Sequence, residues 1–226
     1  DMTYALNVRN YDGYQYHMWD AEKNYWAGHE WDKADVWQPT LDGGWNGDYD
    51  QLSATGSHYN NSGGAGRYDA INSCKNAPNA NEMAWYVMKG DPRYDADELW
   101  STMGYLYKGG TWFKKRAYIT GFSDSHQPDD ASTDLRNTYK RLSKAVSNTL
   151  PATTEMDQYF YLPLLGYYST SWNNYKFNAA GMTGYYWSSS AVPSNQTGRY
   201  ALMINNQTAT LQDFAPTSGM IVRPFE

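Results

Sequence analysis

At 226 residues and a formal net charge of −6, the chain can form one substantial domain or two small ones, and its acidity argues against binding nucleic acid or an anionic membrane by charge alone. No apolar run approaches the roughly 20 residues that span a bilayer, and the lone Cys74 rules out an intrachain disulfide and a cysteine-based zinc site. Leu, Ile, Val and Phe fill only 29 positions against 22 Tyr and 10 Trp, so a folded core has to be built largely from rings whose OH and NH groups find partners.

The first 70 residues read as short strands and long ordered loops. Tyr14 to Ala21 is followed by Trp26, Trp31, Trp37 and Trp45, with Gly43-Gly44, Gly47, Gly56 and Gly63-Gly64 as turn signals. A helix signal comes next. Asn79 with Glu82 three residues on forms a capping-box pattern, Met83, Val87 and Met88 make an apolar stripe, and Gly90-Asp91-Pro92 stops it. A second helix is expected from Asp95, with Glu98 in the matching position, Leu99, Met103 and Leu106 on one face, and Gly109-Gly110 at its end. Leu135, Tyr139, Leu142 and Val146 recur at helical spacing and predict a third helix after Ser132, its other face carrying Arg136, Lys140, Arg141 and Lys144 as a solvated basic surface. From Tyr159 onward the signals are strands and turns. With no repeat or linker in view, the pattern predicts a single α+β domain over residues 1–226, helices in the middle and antiparallel strands at the C-terminal end.

Few residues carry a signature of catalysis. Cys74 reads as a small buried thiol, or as a reactive one helped by Lys75. His17, His29, His58 and His126 are scattered, without a pair at metal-ligand spacing, so no metal site and no cofactor is expected. Glu30 and Asp32 flank Trp31, with Asp42, Asp48 and Asp50 following. They fit either glycosidase carboxylates or turn-forming residues beside glycine, and the turn reading is favoured. Gln127-Pro128-Asp129 matches a tripeptide that certain lectins use for calcium and sugar, but the downstream Trp172-Asn173-Asn174 lacks the carboxylate calcium prefers, and a loop leading into a helix is the simpler reading. Tyr167, Tyr168, Trp172 and Tyr175 fit equally a ring-rich core and a set of exposed aromatic anchors.

The last segment is the most informative. Tyr200, Leu202, Ile204, Ala209 and Leu211 recur with period two, which sets them against a core and turns Ala201, Met203, Asn205 and Thr210 to solvent. Asn206, Gln207 and Thr208 read as one turn, and Gln212, Asp213, Phe214 and Ala215 as another. A rigid frame displaying polar, adaptable side chains is the chemistry of a binding face.

Tyr185-Tyr-Trp-Ser-Ser-Ser190, Tyr200-x-Leu202-x-Ile204, Ala209-x-Leu211 and Gly219-x-x-Val222-Arg-Pro-Phe225 resemble the terminal segment of the major paralogous domain family (FISUMP) and of the variable proteins of diversity-generating retroelements. The resemblance covers roughly the last third well and the rest loosely, and it departs at Pro216, where the family pattern often has Arg. It implies a C-type lectin fold related to the domain of formylglycine-generating enzymes. It also implies that residues 185–226 form a variable ligand-recognition segment, with Thr217, Ser218 and Met220 joining the positions named above. Those enzymes use a cysteine pair, which one cysteine cannot supply. The expectation is therefore a non-catalytic adhesin or receptor-binding protein, extracellular on a bacterial surface, a pilus tip or a phage, whose partner is a protein or glycan of a host or neighbouring cell. A secreted carbohydrate-active or sulfatase-modifying-like enzyme, and a structural subunit of a surface assembly, are the alternatives.

Overall fold

The computed structural model describes residues 8–11, 14–17, 77–102, 105–169, 176–192, 199–214 and 219–226, the first two segments as backbone only. Helix α1 (Ala80–Lys89) forms where the capping pattern placed it: the Asn79 side chain accepts from Glu82 N–H at 3.0 Å, and the Glu82 carboxylate accepts from Asn79 N–H at 2.8 Å. Gly90 closes it, its N–H donating to Tyr86 O at 3.0 Å. Met83, Ala84, Tyr86 and Val87 are fully buried and Met88 packs at the margin, so the expected stripe widens to most of the helix. No helix among the described residues is long and apolar enough to cross a membrane.

The rest is mainly sheet. Strands β1 (Val8–Tyr11), β2 (Tyr14–His17), β3 (Arg93–Thr102), β4 (Tyr105–Lys114), β5 (Leu142–Ala145), β6 (Tyr159–Pro163), β7 (Tyr167–Ser169), β8 (Lys176–Asn178), β9 (Thr183–Ala191), β10 (Arg199–Asn205), β11 (Thr208–Phe214) and β12 (Met220–Ile221) follow in chain order. Seven of them make one sheet in the order β1-β2-β12-β9-β10-β11-β5, β3-β4-β6 make a second, and β7-β8 pair alone. Neighbours in the large sheet are antiparallel except β12, which runs parallel to β9. The late strand β12 thus lies between the first hairpin and β9, joining distant parts of the chain.

One core serves both larger sheets. Tyr186, Leu202, Ile204 and Leu211 from the large sheet and Phe113, Phe160 and Leu162 from the smaller one pack around α1. Single-residue parallel bridges stitch the sheets at both sides, Arg93 to Ser147 and Gly166 to Gly184. A side chain at Gly184 would place its Cβ 2.8 Å from Pro163 O and 2.9 Å from Ile204 Cγ1, so glycine is what permits the approach.

Two expected helices are strands and turns instead. Asp95 does accept from the N–H groups of Asp97 and Glu98, at 3.0 and 3.1 Å, as an N-cap would. Those bonds hold a bulge in β3, where the pairing register with β4 shifts between Asp95 and Leu99. Beyond the bulge Trp100 stacks on Tyr107 toward the core, while Leu99 and Leu106, expected on a buried stripe, are 61% and 69% exposed. Gly110 is not a helix end but lies within β4 beneath the Tyr161 ring, where a Cβ would meet ring atoms at 2.3 Å. In the region of the third expected helix, Asp130 binds Ser132 and Thr133 and Asp134 binds Arg136, local bonds that compete with helix and leave a single turn. Leu142, the third residue of that spacing, starts β5. The observed architecture is sheet-rich and mixed, with one α-helix and two short 3-10 turns (Arg116–Tyr118 and Thr153–Gln158) among the described residues.

The Thr111 hydroxyl is buried on the core side of β4 without a hydrogen-bond partner among the described residues. Thr111→Val, which keeps the shape and removes the stranded polar group, should raise unfolding free energy by about 1 kcal/mol in a urea titration. Trp187, wholly buried on the opposite face of the large sheet, should cost about 3–5 kcal/mol on replacement by Ala. A loss under about 1 kcal/mol would place its ring outside the packing that this fold depends on.

Candidate functional site

The large sheet has two faces, and pairing register assigns each side chain to one of them. Tyr186, Leu202 and Leu211 stand opposite one another on the face that carries α1. The other face holds Tyr185, Met203, Thr210 and Ser143 in one row and Trp187, Ala201 and Gln212 in the next, with Phe214 beyond, opposite Arg199. The period-two reading of β10 and β11 is therefore correct in register, and Tyr200, Leu202, Ile204, Ala209 and Leu211 are all fully buried.

Its assumption that the second face is open holds only in part. Trp187, Ala201 and Met220 form a second buried cluster, with Tyr167, Tyr185, Phe214 and Val222 packed around it. Ala201 and Met220, expected at the ligand surface, are inaccessible because this cluster covers them. Thr210 is 1% exposed; its hydroxyl is within 2.8 Å of Ser143 Oγ, and the longer Met203 and Gln212 meet beside it, Gln212 Nε2 lying 3.8 Å from Met203 Sδ. Phe225 packs on the α1 face against Tyr86, Phe160 and Tyr186.

The β10–β11 turn is also more built than its polar sequence suggests. Asn205 Oδ1 accepts from Gln207 N–H and Thr208 N–H, both at 2.8 Å, and Gln207 O accepts from Val146 N–H at 2.9 Å. Asn205 and Thr208 are thus turn-forming and half-buried, while Asn206 and Gln207 project into solvent. Gln212, Asp213 and Phe214, expected in a second turn, continue β11 instead. Asp213 lies opposite Tyr200, on the α1 face, and accepts from the Tyr139 hydroxyl at 2.5 Å, so it does not belong with the displayed set. Ala215, Thr217 and Ser218 fall outside the described residues.

What the fold brings together is a half-buried group: Tyr167, Tyr185, Met203, Gln212 and Phe214. Tyr167 and Tyr185 have ring centroids 4.5 Å apart, and Phe214 meets Tyr185 edge-on at 5.5 Å. Burial, with the neighbouring Tyr167 second, pushes the Tyr185 hydroxyl above its ordinary range, so it stays a neutral donor. Among the described residues of β9, β10 and β11, the second face carries no charged side chain except Arg199, which is fully buried. Tyr185 was missed in sequence. The signal was there in its alternation with Tyr186 and Trp187, but two adjacent rings do not say which one faces the core.

The other candidates disperse. Asp129 forms an ion pair with Lys89 at 2.9 Å, and Gln127 is buried and accepts from Lys140 at 3.4 Å, so the Gln-Pro-Asp tripeptide serves the loop. Asp130 is held down to about 2 by hydrogen bonds from Ser132 and Thr133. His126 contacts Gln127 O and Trp85, and no group of three or more His, Cys, Asp or Glu among the described residues is placed to hold a metal ion. In the basic set, Arg136 is engaged by Asp134 and Lys144 by Met88 O. Cys74, His29, His58, Glu30, Asp32, Asp42, Asp48, Asp50, Trp172, Asn173, Asn174 and Tyr175 lie outside the described residues.

A charged cavity of about 440 Å³ that the sequence did not announce opens beside the start of α1, lined by Glu82, Arg116, Phe225 and Glu226. Its charges close on one another. Arg116 donates to Glu82 at 2.7 Å and, through its backbone N–H, to Glu226 at 2.5 Å, and the Tyr86 hydroxyl donates to Glu226. Burial, then Glu226, drives the Tyr86 hydroxyl far above its ordinary range. No family model, curated protein or solved structure matches the chain.

Burial, then the Asp213 carboxylate, pushes the Tyr139 hydroxyl from 10.0 up to about 12. A raised folded-state value means that this stabilisation is complete below pH 10 and lost as pH climbs toward 12. The stability difference between the wild type and Tyr139→Phe should accordingly shrink across that interval in urea titrations. A constant difference would show that the Tyr139–Asp213 bond is not formed.

Proposed function

We propose that the chain is a non-catalytic ligand-recognition domain of C-type-lectin-like fold, an adhesin or receptor-binding protein carried on a bacterial surface structure or a phage. Its ligand is a surface protein or glycan held at the second face of the β9–β10–β11 sheet. The observation that carries this reading is the half-exposed trio Met203, Gln212 and Phe214 on the β10–β11 hairpin, with Tyr185 of β9 and Tyr167 of β7 beside them, while the hairpin's opposite face is locked into the core. Ring and thioether supply apolar contact area, while Gln212, Asn206 and Gln207 supply adaptable hydrogen bonds at the margin. The resemblance of residues 185–225 to segments that vary between copies supports the same division between fixed frame and displayed positions. Ala201, Thr210, Asp213 and Met220 belong to the frame.

Met203, Gln212 and Phe214 replaced together by Ala should abolish or redirect binding to a ligand found by glycan-array or cell-surface screening. The melting temperature should fall far less than for Trp187→Ala, since all three side chains are half-exposed. Unchanged binding by the triple variant would remove this face from the ligand contact. Turnover of a bound glycan by the wild type would move the protein to the enzyme class.

A further inference from the structure

Beside the β10–β11 turn a second cavity, of about 320 Å³, opens between three separate elements. Tyr94, Ala96 and Asp97 come from the bulged part of β3, Asn148 and Leu150 from the segment after β5, and Asn206 from the turn itself. We propose that this cavity is a socket for one basic side chain, the guanidinium or ammonium group of an Arg or Lys on a protein partner.

The bulge is what makes the socket. Asp95 also lines it, but both of its oxygens are occupied, Oδ1 by the N–H groups of Asp97 and Glu98 and Oδ2 by the Trp112 indole at 3.0 Å. These bonds fix the backbone that carries Asp97 to the edge of the cavity. The Asp97 carboxylate is left 91% exposed, and its ion partner is Lys108 at 3.4 Å, itself 64% exposed, so the charge is loosely neutralised. Among the described residues, no cationic one lines the cavity. Asn148 and Asn206 offer carboxamide oxygens to the remaining donors of a guanidinium. Leu150, 46% exposed, and Tyr94 give the aliphatic stem an apolar wall. The volume is at the low end of ligand sites, which suits one side chain rather than a larger molecule. An anion would meet Asp97, and a purely apolar group would leave the carboxylate and both carboxamides without a partner.

The socket shares only Asn206 with the margin of the recognition face and is tested through residues outside that face. Labelled protein is titrated with N-acetyl-arginine amide and, in parallel, with the neutral N-acetyl-norleucine amide. The arginine probe should bind in the millimolar range, shifting resonances of Ala96, Leu150 and the Asn148 and Asn206 side-chain amides. Asp97→Asn, at an exposed position that leaves the fold alone, should weaken it about tenfold, and raised salt should weaken it likewise. Lys108→Met, which releases the Asp97 carboxylate, should strengthen it. Equal response to norleucine amide, indifference to both substitutions, or no shifts at these residues would each overturn the socket. None of those outcomes bears on Met203, Gln212 or Phe214, so the recognition face stands or falls by its own test.

Discussion

A core built from rings must place a polar edge for nearly every apolar face it buries, and that requirement organises the rest of this structure. The Trp100 indole donates to Gly109 O at 2.8 Å, the Trp85 indole to His126 O at 2.9 Å, and the Tyr186 hydroxyl to Pro163 O at 2.5 Å. The Tyr200 hydroxyl accepts from Lys140 N–H at 3.1 Å. All but the first tie a core side chain to a strand end or a loop. The segment from Lys115 to Arg141, which contains no long strand or helix, is thereby held at His126 and Lys140 by rings whose planes lie in the core. Asn81, fully buried on α1, adds a third anchor by donating to Asp124 O and Asp134 and accepting from Leu135 N–H. Loops of this kind are ordered by the polar obligations of the core rather than by their own propensity.

The same requirement explains what sequence reasoning could and could not recover. Helix α1 was legible because its signals are local: Asn79 and Glu82 act within the first turn, Gly90 acts on the last, and the apolar stripe agrees with them. Asp95 and Glu98 offered the same local signal and gave a bulge instead. An aspartate that accepts from the N–H groups two and three residues on is compatible with a helix start or a strand irregularity, and the decision falls to the rings around it. Trp100, Tyr107 and Trp112 each find a stacking or hydrogen-bonding partner only in the extended hairpin. Leu135, Tyr139, Leu142 and Val146 kept helical spacing by coincidence, while Asp130 and Asp134 took up the neighbouring donors.

On β10 and β11 the alternation was read correctly because the period of a strand is fixed, and yet Ala201 and Thr210 are buried. Period two says which side chains share a face. It does not say whether that face is covered. Covering it takes Trp187 and Tyr185 from one strand and Val222 from the chain's last stretch, a meeting set by the parallel pairing of β12 with β9 that no local pattern encodes. The outcome is a second face covered over Trp187, Ala201 and Met220 and half-open at Met203, Gln212 and Phe214, and the half-open part is the surface proposed for a ligand.

This gradient limits how far a displayed surface can change. Asn205 looked like one more adaptable polar position, but its carboxamide oxygen accepts three hydrogen bonds that shape the turn, so substitution there alters the hairpin before it alters a ligand contact. Thr210 is fixed by Ser143, and Asp213 by Tyr139. Met203 and Phe214 differ from them in kind: both are half-buried, Phe214 against the second cluster, and the Gln212 carboxamide donates to the Met203 sulfur at 3.8 Å. A thioether adapts to a new neighbour more readily than a branched or polar group would, so Met203 can tolerate change at Gln212 without strain passing to Ala201 beneath. Variation is therefore least costly along a line from Met203 through Gln212 to Phe214 and at the tip residues Asn206 and Gln207, positions whose backbone is locked while their side chains are not.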